Sequence, residues 1–449
     1  MARSLTLRAC LLAGAAVAFS FPGPAMAQTS AQLAERVRQL EAALSEVQTQ
    51  LREVQANEAQ QSSDIVRIQQ ATPAPAAAPV QPPEGFRVGA TTFRLGGYVK
   101  AEALYSDYSS GDIASGTGRD FFVPSAIPIG AASEDAALDM HAKQTRLTFT
   151  ATRAVEGHTL AAYVEADFQS SPGTGTENVT NAYNFAVRRA TIAYDRWLFG
   201  QDWTTFQNTG ALPETTDFIG PSDGTVFARQ ALVRYTHPLG EHLALAVALE
   251  NPETTAYSLA SPTLAGYDDD AVPDVVARLN WTPGRNQFSI AAIARQLSVE
   301  DAGVTRDASG WGVSASGRVA IGASDDLRFM LTTGEGIGRY IGINFAPDAA
   351  FDGADLSPIG VTGGFAAYRH AWTERLRSTV SYSFLDVDND AALTPASANE
   401  SSSSWAANLF FSPTPGLDLG IEYRHAEREI ASGASGEMDR IHLAAKQSF

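Results

Sequence analysis

The sequence predicts an all-β fold, a 16-stranded antiparallel transmembrane β-barrel, with an N-terminal α-helical coiled coil ahead of it. Three observations predict the barrel. Apolar and polar residues alternate in the last segment up to the final residue, and sixteen segments in all show this alternation. The connections are short after even-numbered segments and mostly long after odd-numbered ones. Even strand numbers, short turns on one rim and long loops on the other are typical of bacterial outer-membrane barrels. A soluble sandwich with one exposed face is the alternative, but it gives no reason for this sorting.

The last segment, 439–449, is apolar on one face and cationic or polar on the other. Ile441, Leu443 and the terminal Phe449 share the apolar face. A strand of this kind leaves an aggregation-prone open edge unless another strand closes it. Segment 91–105 alternates in the same way, so we expect the two to pair and close a cylinder that is apolar outside and polar inside.

Residues 1–27 combine two arginines, an apolar run and a small-residue cleavage site at 25–27, which predicts a secretory signal peptide. The single cysteine, Cys10, would be removed with it, leaving no thiol for disulfides, nucleophilic catalysis or metal binding. Loss of the two arginines takes the formal charge from −18 to −20, which argues against nucleic acid as a partner. No later run of about 18 apolar residues exists, so we expect no membrane-spanning helix.

Residues 28–70 carry a heptad pattern, with apolar residues from Leu33 to Val54 at alternating steps of four and three. This seam predicts a coiled coil; a single amphipathic helix packed on the barrel is the alternative. Residues 71–85 are rich in proline and alanine, which favours an extended, semi-rigid linker. A coil of about 40 residues at 1.5 Å rise is roughly 60 Å long, so it would project well away from the membrane.

The predicted barrel domain is 86–449. Connections after even-numbered segments are tight, as at Ala154–Gly157 and Pro283–Gly284, whereas those after odd-numbered segments are long, as at 106–139 and 204–225. The sixteen segments are 91–105, 140–153, 158–169, 183–194, 196–203, 226–236, 241–250, 273–282, 285–297, 309–321, 325–336, 361–372, 375–386, 404–412, 416–427 and 437–449.

Cationic side chains lie opposite the apolar faces of these segments, so they should line the lumen if the apolar faces contact lipid. Rings of Arg and Lys bias a pore toward anions, and Arg binds carboxylates in a two-pronged geometry. In the alternative, these arginines pair with luminal Glu102, Glu165, Asp167 and Glu422 and only hold the wall together. Of the adjacent Arg188 and Arg189, we expect only one to face the lumen. The predicted pore-lining set is Arg94, Lys100, Arg146, Arg188, Arg234, Arg278, Arg318, Arg328, Arg377 and Arg424.

Segment 204–225, after the fifth strand, is a candidate for folding inward and narrowing the channel; a surface loop is the equal alternative. Its constriction candidates are Phe206, Glu214, Asp217, Phe218 and Asp223.

No motif points to catalysis or to a cofactor. The histidines show no metal-ligand spacing, and there is no dinucleotide fingerprint, phosphate loop or nucleophile elbow. The run Asp268–Asp270 could bind a divalent cation, although a solvated acidic loop is the simpler interpretation. We therefore expect no cofactor, no metal and no enzyme; a barrel lipase would need an outward Ser and His near a rim, and no such pair is found.

Three stretches carry a family resemblance: Phe93–Lys100, Leu198–Phe206 and Glu250–Pro252. With the coil and linker ahead of them, they resemble the DcaP-type outer-membrane porins. The resemblance implies a homotrimer of 16-stranded barrels, an N-terminal periplasmic coiled coil, and uptake of negatively charged small molecules such as dicarboxylates. Asp202 departs from the uncharged residue expected there, which puts the strength of the anion preference in question.

Together these features predict an outer-membrane porin of a Gram-negative cell, a passive diffusion channel for small hydrophilic solutes that prefers anions such as dicarboxylates. Its expected partners are two further copies of the chain, outer-membrane lipids and lipopolysaccharide, small anionic solutes and, through the coil, peptidoglycan. The alternative is a structural outer-membrane protein that links envelope layers through its coil.

Overall fold

The computed structural model describes residues 85–449, apart from 112–115, 131–135, 170–179, 259–260, 268 and 302. The predicted signal peptide, the coiled coil and all but the last residue of the linker lie outside the described residues. Within the described residues, no helix has the length and apolar composition needed to span a bilayer.

The described part of the chain is almost entirely β-structure, with one short α-helix, α1 (Thr117–Asp120), and 3-10 turns at Pro124–Ala126, Thr209–Ala211 and Gly338–Tyr340. The strands, numbered in chain order, are β1 (Phe86–Val88), β2 (Thr91–Tyr108), β3 (Ala137–His141), β4 (Arg146–Val155), β5 (His158–Asp167), β6 (Ala186–Tyr194), β7 (Trp197–Trp203), β8 (Arg229–Pro238), β9 (Leu243–Glu250), β10 (Thr254–Ser258), β11 (Ser261–Tyr267), β12 (Asp274–Trp281), β13 (Gln287–Asp301), β14 (Val304–Ile321), β15 (Asp325–Glu335), β16 (Ala349–Phe351), β17 (Leu356–Pro358), β18 (Gly360–Ala371), β19 (Leu376–Asp388), β20 (Asn399–Thr414), β21 (Leu417–Ile430) and β22 (Ser435–Ser448).

An 18-stranded sheet forms the barrel, and each neighbouring pair in it is antiparallel. Sixteen strands cross the wall, because β3 and β4 both pair with β2 as parts of one crossing strand and β1 is only a short addition to its end. β2 and β22 close the barrel, with register partners from Tyr98 and Ser448 to Tyr108 and Met438. The all-β class, the strand number and the closing pair predicted from the sequence are confirmed.

The strand boundaries follow the predicted segments to within a few residues, except where strands are longer than predicted. β13 and β14 are the clearest case, because they continue to Asp301 and restart at Val304, where the sequence predicted a longer loop. The connections after the other odd-numbered crossing strands are mostly long, and the opposite rim carries short turns such as the one at Asp195.

Alternation places apolar side chains on the outside of the closing seam. Leu95 is 67% exposed and Phe449 is 60% exposed, whereas Lys100 and Arg440 on the inner face are 6% and 1% exposed. Since an outer-membrane barrel faces lipid with apolar side chains and water with polar ones, this seam has the expected orientation.

The interior is not polar all the way round. From β12 to β19, apolar side chains such as Val276, Ile293, Phe365 and Leu385 point inward and are buried. They pack against loop residues, including Tyr340, in one large cluster. Packed against β13 and β14, strands β10, β11, β16 and β17 form a separate four-stranded sheet. This side of the barrel is therefore filled, and the polar interior lies along the remaining strands.

Candidate functional site

The connection from β7 to β8, residues 204–228, lies inside the barrel; we call it the inner loop. Its polar residues Thr204, Gln207 and Asp223 are as deeply buried as its Phe206. A buried polar segment needs hydrogen-bond partners for most of its groups, and here the barrel wall supplies many of them, although the side-chain amide of Gln207 has none among the described residues. Of the two alternatives for segment 204–225, the structure has the inward one.

The first half of the inner loop is held by wall arginines that donate to its backbone. Arg278 on β12 donates to the Gln207 carbonyl oxygen, and Arg328 on β15 donates to the Leu212 carbonyl oxygen at 2.5 Å. The Asn208 amide donates to Ser316 Oγ on β14 at 3.1 Å. Two of the predicted pore-lining cations therefore anchor the loop.

Glu214 is the charged anchor of this half. Arg377 on β19 donates to both of its carboxylate oxygens, and Arg369 on β18 adds a bond at 3.2 Å. Burial raises the pKa of Glu214, but the two guanidiniums outweigh burial and hold that pKa below its ordinary value. The carboxylate is therefore a stable anion fixed to the wall.

The tip of the loop is tied to the closing seam. Lys100 Nζ donates to the Thr216 carbonyl oxygen at 2.5 Å, and the Thr216 amide donates to Glu422 at 3.0 Å. Asp217 accepts from the Phe122 amide at 2.8 Å. Burial raises the pKa of Asp217, but the charge of Arg424 and the backbone donors leave it below its usual value.

Asp223 and Phe206 are anchors rather than channel-lining groups. Asp223 accepts from Ser383 Oγ at 2.5 Å and Ser404 Oγ at 3.2 Å, and burial raises its pKa. Phe206 packs edge-on against Tyr340, 6.1 Å between ring centres, within the apolar cluster. Neither residue reaches the polar side of the interior.

Phe218 is a constriction candidate whose ring does reach the polar side of the interior. Its half-buried ring lies under the guanidiniums of Arg146 on β4 and Arg188 on β6, at 5.4 Å and 5.1 Å from the ring centre. These distances fit cation–π contacts. The ring therefore faces the opposite wall across the polar part of the interior.

That wall carries a ladder of ion pairs on β4 to β8, which we call the arginine wall: Arg146, Arg188, Arg189 and Arg234 with Glu165, Asp167 and Asp202. Asp167 bonds both Arg188, at 2.6 Å, and Arg146, at 2.8 Å. Asp202 bonds Arg189, at 2.5 Å, and Arg234, at 3.0 Å. Each of these two carboxylates thus holds two guanidiniums in place.

The expectation that only one of Arg188 and Arg189 faces the lumen is wrong. The register between β5 and β6 shifts between Glu165 and Ala166, so Arg189 pairs with Glu165 while the next pair is Ala166 with Val187. Arg188 is the extra residue of this β-bulge. Because a bulge redirects a side chain without ending the strand, both arginines reach inner carboxylates.

The other predicted cations divide into paired and unpaired groups. Arg424 is buried beside Glu422 at 3.1 Å, and Lys100 pairs with Glu102 at 2.9 Å. No ion pair is found for Arg94 or Arg318 within the described residues, and Arg94 is exposed. Most predicted cations thus have a protein partner, as the wall-holding alternative describes.

Sequence reasoning missed several inner cations. Arg295, Arg369 and Arg440 all reach inner partners. Arg440 lies on the polar face of the last segment, whereas Arg295 shares its face with Ile293 and Leu297, so that face has the apolar composition expected of a lipid-facing side.

A polar cavity of about 160 Å³ lies between the loop tip and the seam. A larger groove of about 530 Å³ lies on the outer, lipid-facing surface around Trp281 and is not part of the lumen. Within the described residues, no group of three His, Cys, Asp or Glu side chains is placed to hold a metal ion. The cavity is lined by Tyr98, Lys100, Gln144, Arg146, Thr215, Thr216, Asp217, Phe218, Phe410, Asp418, Ala444 and Lys446.

A closed barrel with a loop folded into a charged lumen defines the class of outer-membrane channels. The family model described as DcaP outer membrane protein matches residues 86–449. The chain therefore belongs to the DcaP outer membrane protein family, and the resemblance drawn from its motifs is confirmed. Family and fold indicate a channel in the outer membrane rather than an enzyme. No curated protein sequence matches the chain.

Solved structures agree with the fold. The outer membrane channel DcaP of Acinetobacter baumannii is 24% identical, with a TM-score of 0.67 over 82% of this chain and 100% of that one. OmpT of Vibrio cholerae is 12% identical, with a TM-score of 0.52 over 82% of this chain and 100% of that one. OmpF of Salmonella typhi, in complex with daunomycin, is 11% identical, with a TM-score of 0.50 over 80% and 98%.

Proposed function

We propose that this channel is a passive diffusion porin for small hydrophilic solutes with a modest preference for anions, dicarboxylates among them. The solute path runs along the arginine wall, past Phe218, because the inner loop and the apolar cluster fill the opposite side of the lumen. No catalytic step and no cofactor take part.

The charge balance of the arginine wall is the observation that carries the anion preference. Four guanidiniums there meet three carboxylates, Glu165, Asp167 and Asp202. Close by, the half-buried Arg229 lies over the rings of Trp203 and Phe227, and it has no carboxylate partner among the described residues. Guanidiniums in excess attract anions and can exchange a protein carboxylate for that of a solute.

Pairing explains why the preference is modest. Asp202, the departure from the family pattern, bonds both Arg189 and Arg234 and so cancels one charge near the constriction. A porin with an uncharged residue at this position would keep that charge free for solutes.

We also propose the remaining organisation implied by the family. Residues 1–27 act as the export signal, 28–70 form a periplasmic coiled coil, and the barrels assemble as a homotrimer in contact with lipids and lipopolysaccharide. A coil of roughly 60 Å would reach toward peptidoglycan. The coil would then contain three helices because the barrels form a trimer, and not because the heptad pattern specifies that number.

Planar-bilayer recording tests the proposal. Purified protein should give discrete ion steps, and reversal potentials in potassium chloride and potassium succinate gradients should favour the anion. Arg146→Gln should lower that preference, whereas Arg285→Gln, at an exposed turn on the rim, should leave it unchanged. Absence of steps removes the porin assignment, and reversal potentials that favour potassium remove the anion preference.

A further inference from the structure

A buried chain of alternating acids and histidines runs from α1 to the closing seam, outside the arginine wall. Asp120 on α1 lies 3.6 Å from His141 Nε2, and His141 Nδ1 lies 3.6 Å from Glu102 on β2. The other oxygen of Glu102 is 2.9 Å from Nε2 of His442 on β22. The side chains of the two histidines are 3% and 2% exposed.

His141 is the unsatisfied member of this chain. Both of its ring nitrogens are buried without a hydrogen-bond partner among the described residues, although each faces a carboxylate oxygen. A neutral imidazole has one donor and one lone pair, so one of its nitrogens must present a lone pair to a carboxylate. An imidazolium ion has two donors and suits both carboxylates.

The charges around His141 come from every element packed on it. With both histidines neutral, the ammonium groups of Lys100 and Lys143 balance Glu102 and Asp120, the carboxylates that face His141, and one bound proton adds one positive charge to this group. The facing groups are Lys100 and Glu102 on β2, Asp120 on α1, Lys143 after β3, and His442 on β22 with Asp217 of the inner loop beside it.

From this geometry we propose that His141 is a proton-binding site that makes the lumen more positive at acid pH. The protonated ring donates from Nδ1 to Glu102 and from Nε2 to Asp120, bridging the wall and α1. Glu102 is also the ion-pair partner of Lys100, whose ammonium bonds Thr216 at the loop tip and lines the lumen cavity. Sharing Glu102 with His141 leaves more of the Lys100 charge for solutes.

This inference rests on the proposed function, since its readout is the anion preference of the channel. The experiment compares reversal potentials of the full chain in a potassium chloride gradient at pH 7.5 and pH 4.5. We expect the chloride-to-potassium permeability ratio to rise about twofold or more on acidification, as one added unit charge near a pore requires.

His141→Gln should abolish most of this rise. His158→Gln is the matched control, because His158 lies at the rim end of β5, paired with Asp195 and 49% exposed, and it should keep the full rise. A rise of wild-type size in His141→Gln overturns the proposal. An anion-preferring channel whose ratio does not change with pH also overturns it, without touching the proposed function, whereas cation preference at both values overturns the proposed function itself.

Asp120→Asn provides a second variant in case His141→Gln does not fold. A folded barrel is recognised by its faster migration on a gel before boiling than after. It removes the acceptor of His141 Nε2 and so disfavours the protonated ring. The pH midpoint of the rise should move to lower pH, and an unchanged midpoint would contradict the bridge.

Discussion

Glu214 of the inner loop is bonded by Arg377 of the barrel wall through two parallel hydrogen bonds, Nη2 to Oε1 at 2.6 Å and Nε to Oε2 at 2.8 Å. The residues are 163 positions apart in the chain. Two-pronged contacts of this kind fix orientation as well as distance. This pair therefore decides where the middle of the loop lies in the lumen.

Glu214→Gln should loosen the loop. The substitution removes the negative charge from two guanidiniums, and we expect a loss of about 2 kcal/mol of folding free energy, since hydrogen bonds to charged groups are worth about that much. The open channel should also show larger current fluctuations. The temperature at which the protein loses its faster migration on an unboiled gel measures the loss of stability. Single-channel current noise measures the mobility of the loop.

The control is Glu374→Gln, at an exposed position in the turn before β19, which should change neither quantity. Equal stability and equal noise in the two variants would show that the loop is held without its carboxylate.

The same pair predicts how the channel responds to acid. Arg377 and Arg369 outweigh burial and lower the pKa of Glu214, so its stabilising contribution is fully present above the ordinary glutamate pKa of about 4.3. The contribution is lost only as pH falls through the lower folded value. Current noise should therefore stay low down to about pH 4 and increase below it. Arg377→Lys removes the two-pronged contact and should shift this increase to higher pH; an unshifted profile would contradict the assignment.

Alternation alone predicted all sixteen crossing strands and the closing pair, because the lipid-facing side of a barrel must be apolar whatever lies inside. It failed for the inner face of β12 to β19. There Ile293, Leu297 and Val299 point inward, because loops and the four-stranded sheet cover the lumen and turn that face into a core. Arg295 stands on the same face, bonded to Asp274 and Asp348, and was missed for that reason.

The inner loop and the bulge at Arg188 show a second limit. Period-2 patterns carry no information on a one-residue insertion, so two adjacent arginines could not both be placed inside. The loop itself is polar in sequence, which suits a surface loop equally well. Its inward course depends on partners such as Arg377 and Lys100 that are distant in the chain, and these become neighbours only after the barrel closes.

Gly97→Ala should damage the closing seam. Gly97 has φ +144°, and a Cβ at this position would lie 2.1 Å from the Arg146 carbonyl oxygen. Gly97 also exchanges both backbone hydrogen bonds with the terminal Phe449, at 3.2 Å and 3.1 Å. We expect a loss of about 2 kcal/mol or more, typical of a strained backbone position.

The midpoint of unfolding in denaturant measures this loss. Gly240→Ala is the control, since its Cβ would have no atom within 4 Å. If both variants unfold at the same midpoint, the seam at Gly97 has tolerated the methyl group and the steric argument fails.

Asp167→Asn should raise anion preference while lowering stability. Asp167 is fully buried between Arg146 and Arg188, so its neutralisation leaves both guanidiniums without their shared carboxylate. The permeability ratio for chloride over potassium should rise about twofold from the added net charge. Arg146 keeps its ion pair with Glu165, whereas the buried charge of Arg188 loses its carboxylate, which should cost about 3 kcal/mol of folding free energy. Asp195→Asn, at an exposed turn, should leave the ratio unaltered; if Asp167→Asn does so too, these arginines do not act on solutes.

Phe218→Ala should widen the channel. Its ring stands between the inner loop and the arginine wall, and removing it opens space on the side of the lumen that neither the loop nor the apolar cluster fills. Conductance depends on pore diameter at the narrowest point, so the single-channel step should grow by roughly a third or more. Phe411→Ala, on the lipid face and 44% exposed, removes the same kind of ring without touching the lumen and should give the original step.

An unchanged step in both variants would place the narrowest point away from Phe218. A larger step in Phe218→Ala with unaltered ion preference would separate the two properties: the ring sets the width, and the charges of the wall set the selectivity.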